Sequence, residues 1–139
     1  MFANDRDSMR KLYCDSWKKF NAQQLLSELE QQIVSVVKLH PEYHQMLEAP
    51  EVSVQADFLP EQGESNPFLH MGMHLGLHEQ ISTNRPAGIA TLYQALVVKH
   101  GEHDAEHKMM ECLGEAIWTA QRNQTVPDES AYLDCLHKI

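Results

Sequence analysis

No run of this sequence approaches the ~20 consecutive apolar residues of a membrane-spanning helix, and its first residues lack the apolar stretch of a signal peptide. The expectation is a soluble, cytoplasmic protein with no membrane partner. Basic charge is scarce: eleven Lys and Arg stand against twenty Asp and Glu, for a formal net charge of −9. Docking on a phosphate backbone needs clustered cations, so nucleic acid is excluded as a partner. Five of the eleven fall early (Arg6, Arg10, Lys11, Lys18 and Lys19). They are interleaved with acids at helical spacing and read as a solvated helix face.

Cysteine is also sparse. Cys14, Cys112 and Cys135 are odd in number and far apart, and no CxxC occurs. They read as reduced thiols packed as small core residues. There is no glycine-rich phosphate loop and no internal repeat. Recognised catalytic patterns are missing as well: neither HExxH nor the ExxH of di-iron carboxylate bundles is present. His40-Pro-Glu42 mimics the opening of a zinc deaminase motif, but the PCxxC that must follow is absent. No Ser or Cys stands in a nucleophile context.

What remains is an ordinary globular composition, 42% hydrophobic and 22% charged over 139 residues, enough for one domain with a core of its own. Its periodicity is helical almost throughout. Met9, Leu12, Tyr13, Trp17 and Phe20 recur at three and four, predicting a helix from about Asp5 to Phe20. Leu26, Leu29, Ile33, Val36 and Val37 predict a second from about Ala22 to Leu39. Pro41 stops it and opens a short third helix. Residues 49–65 break the pattern and read as a long acidic loop, in which a short strand at Val52–Val54 would have no partner. Asn66-Pro67 starts a fourth helix to about Ser82. Arg85-Pro86 opens a fifth that Gly101 ends, a sixth runs from about Asp104 to Arg122, and Pro127-Asp128 begins a last one. The predicted fold is all-α: a compact domain of six to seven helices over 1–139, bundle-like or orthogonal, around a buried central helix at about 67–81.

That central helix carries the chemistry. Its apolar side chains surround nearly the whole circumference, as in a buried helix. Gly72 and Gly76 suggest a closely packed partner backbone, intrachain rather than a dimer mate. Into this element the sequence inserts His70, His74 and His78, on one sector of about 80°. Nine histidines are present, and three pairs lie four apart, His40/His44, His70/His74 and His103/His107, with His78 extending the middle pair by a further four. That spacing puts two imidazoles on one helix face, one turn apart. On the sixth helix Glu106 falls inside the apolar stripe of Met109, Met110, Leu113, Ile117 and Ala120. A carboxylate there must be paired or metal-bound. His103 and His107 lie at the edge of the same stripe, although a cap at Asp104 would leave His103 in a loop.

Buried imidazoles need partners. Four of them, or three with a carboxylate, suit zinc, iron, nickel or copper better than magnesium or calcium. The candidate metal set is His70, His74, His103, His107 and Glu106, with Glu106 as anchor or orienting group, and with His78 and a partly buried Glu79 as secondary candidates. His40 and His44 flank a helix start and read as capping and packing groups. Two readings stay open: a metal-binding helical protein, or a non-catalytic interaction or structural module. In the second, the buried His and Glu form a polar core network and an acidic surface meets a protein partner or a second copy.

Several segments also match a known pattern. They are His40-Pro-Glu-Tyr-His44, Asn66-Pro-Phe-Leu-His70-Met-Gly-Met-His74, Glu79-Gln80, Ala105-Glu-His107 through Glu115, Trp118-Thr-Ala-Gln-Arg122 and Pro127 through Leu133. In these the chain resembles the proteobacterial domain-of-unknown-function family 1841. The resemblance covers nearly the whole chain and implies a bacterial, single-domain, helical protein. It implies no activity.

Overall fold

Side-chain capping sets the starts of three helices, at Ser27, Asn66 and Asp128. Ser27 accepts from the Glu30 amide through its hydroxyl, while the Glu30 carboxylate accepts from the Ser27 amide at 2.8 Å. This reciprocal box starts the second helix at Glu28, six residues later than hydrophobic spacing alone suggests, and leaves Leu26 outside it. Asn66 accepts from the Phe68 and Leu69 amides at 3.0 and 3.2 Å, starting the helix at Pro67 as the Asn-Pro pair predicts. Asp128 caps the last helix by accepting from Ala131, so Pro127 stands before the cap.

The computed structural model describes residues 3–56 and 66–139, with side chains from Arg6 onward. Every regular element among these is helical: α1 (Ala3–Asn21), α2 (Glu28–Lys38), a 3-10 turn (Pro41–Tyr43), α3 (His44–Leu47), α4 (Pro50–Ser53), α5 (Pro67–Thr83), α6 (Ile89–His100), α7 (Glu102–Asn123) and α8 (Glu129–His137). No helix among them is long and apolar enough to cross a membrane. Part of the predicted acidic loop is thus α4, opened by Pro50, and Val52 lies in this helix rather than in a strand. Most of the remainder of that loop lies outside the described residues.

The chain divides into two compact units, residues 1–72 and 73–139. In the first, α1 and α2 bury Tyr13, Cys14, Trp17, Ile33, Val36 and Val37 with Leu47, Phe68 and Met71. Arg10 is buried here instead of solvated. Its guanidinium donates to the carbonyls of Val54 and Ala56 at 3.0 and 2.7 Å and lies over the Phe68 ring. An arginine can do this because its long stem packs while its planar head satisfies several acceptors. Trp17 donates to Glu48 at 3.1 Å, which ties α1 to the end of α3.

The second unit packs α6, α7, α8 and the latter part of α5 around Leu77, Ile89, Leu96, Ala105, Met109, Met110, Tyr132 and Leu136. Its α6 begins at Ile89, beyond the turn through Arg85-Pro86 and the left-handed Gly88. Asn84 holds that turn by accepting from Gly88 and Ala90. Gly101, at φ 87°, is both the end of α6 and the cap of α7, which places His103 and Asp104 inside the helix. Ile117, expected in the core stripe of α7, is 37% exposed.

Two further expectations are corrected. Cys112 and Cys135 form a disulfide joining α7 to α8, with their Cα atoms 5.8 Å apart; Cys14 is free and buried. The α5 glycines do not mark a close backbone approach. A methyl group at Gly76 would meet nothing within 4 Å, and one at Gly72 would make ordinary contact with the Tyr13 hydroxyl. The tight position is Gly114 on α7, where it would lie 3.3 Å from Met73 Cε.

Candidate functional site

Glu106 is the centre of the second unit's polar chemistry. Helical periodicity places it on the buried stripe of α7, one residue after Ala105 and three before Met109, and it is 4% exposed. One of its oxygens, Oε1, is shared by two imidazoles of α5: His74 Nδ1 at 2.6 Å and His78 Nε2 at 2.5 Å. The four-residue spacing of His74 and His78 is what lets both reach one oxygen. His74 is fully buried, whereas the His78 side chain is 36% exposed.

Electrostatics fixes the proton positions. Burial pushes the Glu106 carboxyl up, but the hydrogen bonds from His74 and His78, helped by their charge, outweigh it and hold the group at about 2. At neutral pH it is therefore a carboxylate, an acceptor only, and both imidazole nitrogens donate to it. The hydrogen bond to Glu106 raises the pKa of His78 above its ordinary value of 6.5 against the opposing effect of burial, and the charges of Glu106 and Glu102 add to the rise. In neutral His74 the proton on Nδ1 leaves the lone pair on Nε2.

His107 is oriented in the same sense. Its Nδ1 donates to the backbone carbonyl of His103, one turn earlier, at 2.9 Å, which puts the lone pair of the neutral ring on Nε2. The His74 and His107 rings meet edge to face with centroids 4.9 Å apart, and a ring nitrogen of each lies within 4.8 Å of the other. His103 is exposed, with its ring 4.3 Å from that of His107.

Of the residues singled out by sequence, His74, His78, His107 and Glu106 are thus brought together in the second unit, with His103 at the rim. Glu79 is exposed, contrary to the expectation of partial burial. His70 belongs to the first unit. There its ring lies edge-on to His40 at 5.0 Å, and a nitrogen of each is within 4.8 Å of the other. His40 and His44 each donate to a carbonyl near the end of α2, Val36 at 2.8 Å and Val37 at 2.9 Å, a capping role. Sequence reasoning did not pair His40 with His70, because thirty residues and three elements separate them.

Chemically, the second unit offers two arrangements. His74, His78 and Glu106 bring three potential ligand atoms within 4.8 Å of one another. Two ligands of one tetrahedral ion, each near 2.0–2.1 Å from it, stand about 3.3 Å apart. The contacts at 2.5 and 2.6 Å are shorter and are those of charge-assisted hydrogen bonds. Glu106 therefore orients imidazoles, and the second arrangement is the pair of His74 and His107 ring nitrogens within 4.8 Å of each other.

A family model described as a domain of unknown function (DUF1841) matches residues 5–138. No curated protein and no solved structure matches the chain. The chain belongs to the DUF1841 family.

Proposed function

We propose, from a family that brings no activity with it, that this protein binds a transition-metal ion through histidines of α5 and α7. In the second unit His74 and His107 supply imidazole nitrogens, and Glu106 is the carboxylate that fixes His74. The observation that carries this reading is the buried Glu106 Oε1–His74 Nδ1 hydrogen bond. Metal-ligating histidines commonly donate their second ring nitrogen to a carboxylate, which sets the tautomer and raises the basicity of the ligating nitrogen. Imidazole donors suit zinc, iron, nickel or copper.

Elemental analysis of the full-length, untagged protein tests this, together with thermal melts in the presence and absence of chelator. Stoichiometric metal is expected, with a melting temperature that falls on chelation. His74→Ala and His107→Ala lose the metal, and Glu106→Gln binds it about 10–100-fold more weakly. Background metal content and chelator-insensitive melting overturn the proposal. The second reading, a polar network that fixes helix register, is favoured by the sharing of one Glu106 oxygen between two histidines. Under it the same variants lose stability and have no metal to lose.

A further inference from the structure

His100 presents a problem that the metal reading leaves untouched. Its Nε2 is buried and has no hydrogen-bond partner among the described residues. An unsatisfied buried nitrogen is costly, and where one persists a catalytic or redox role is among the physical reasons. This nitrogen belongs to the last residue of α6, and His100 lines a surface cavity of about 400 Å³ together with Cys112 and Cys135. Lys108 and Lys138 line it too, as do Glu111 and Glu115. The disulfide also borders a second cavity of about 250 Å³, between α7 and α8, with Thr119, Asn123 and Tyr132 in its wall. Cys112 and Cys135 thus line cavities on two sides of the α7–α8 link, with Cys135 the more exposed of the pair.

We propose that Cys112–Cys135 is a reversible redox site for small dithiols, with His100 as the positioning base. The sulfurs differ in access: Cys112 is 4% exposed and Cys135 is half-buried, so Cys135 Sγ receives the attack. An entering thiol passes its proton to Nδ1 of the half-buried His100, because Nε2 is closed to solvent, and its thiolate sulfur bonds to Cys135 Sγ. The Cys135–Cys112 bond breaks, and Cys112 leaves as a thiolate that takes the proton from His100. The second thiol of the dithiol then attacks the mixed disulfide and releases Cys135, which takes that thiol's proton. Two electrons pass from the dithiol, which ends as its own disulfide, to the protein, which ends with two thiols. Lys108 and Lys138 favour the thiolates and Glu111 and Glu115 oppose them, so the local field is mixed and the base matters.

The test uses the intact, folded protein and dithiothreitol, counting thiols by alkylation and mass spectrometry. With the dithiol added under native conditions, and alkylation carried out after an acid quench and unfolding, the count rises from one, Cys14, to three, and it returns to one on reoxidation. A disulfide that yields only after unfolding in urea overturns the proposal. Near neutral pH, where the entering thiol is still mostly protonated, His100→Gln slows exchange at least about tenfold and flattens its pH profile. An unchanged rate and profile in a folded His100→Gln protein remove His100 from the mechanism. Two monothiols of different acidity give an answer that needs no variant. A break in the wild-type rate profile that stays in place when the thiol is changed belongs to the protein's base, and a profile whose every break moves with the thiol refutes the base role.

Discussion

Glu106 carries a sharp set of expectations because it is charged, buried and shared. Replacing it with alanine removes the acceptor of two imidazole protons, one of them fully buried. Loss of a buried, hydrogen-bonded charge pair costs about 3–5 kcal/mol, and chemical denaturation of Glu106→Ala should show a loss of that order. Acid acts on the same group. Its folded value, about 2, lies below the ordinary 4.5, so its stabilising effect is present in full above 4.5 and is lost as pH falls through 2. His78 works in the opposite sense. Its folded value lies above 6.5, so its contribution is complete below 6.5 and fades as pH rises through the raised value. A His78→Gln variant should melt with less dependence on pH over that upper window, and an unchanged dependence would assign the titration elsewhere. The acid at 106 was legible in sequence because it interrupts an apolar stripe. Arg10 was not, because the carbonyls it holds come from residues 44 and 46 positions away.

At the scale of elements, capping shifts a start that hydrophobic spacing alone misplaces, as at Ser27. Ser27→Ala breaks the box at the head of α2 and should cost about 1 kcal/mol of unfolding free energy, read from urea melts. Gly76 lies within α5, and a methyl group there meets no atom within 4 Å. Gly76→Ala should therefore raise stability by about 0.5–1 kcal/mol through helix propensity alone; a fall would reveal packing that the α5 surroundings do not show. The α7–α8 disulfide closes a separation of 23 residues, and its loss in Cys112→Ser should cost about 3 kcal/mol in the chain-entropy description. The helices themselves were readable, since period and proline placement set them. The disulfide was not, because two cysteines on different helices carry no spacing signal. The exposure of Leu69, at 62% in a helix read as buried all round, has no explanation among the described contacts.

For the whole molecule, composition and pattern gave an all-helical chain, and the structure adds its division into two units. A net charge of −9 predicts weak adsorption to nucleic acid, which a salt-dependent binding assay with duplex DNA can check. Its two tryptophans fall one to each unit. Trp17 is buried, with the His44 ring 4.3 Å away, and Trp118 is 59% exposed beneath Arg122. Intrinsic fluorescence is therefore a two-channel report on the chain. The first unit emits at short wavelength, whereas the second emits at long wavelength and is accessible to iodide. With either indole replaced by phenylalanine, each channel follows the unfolding of its own unit.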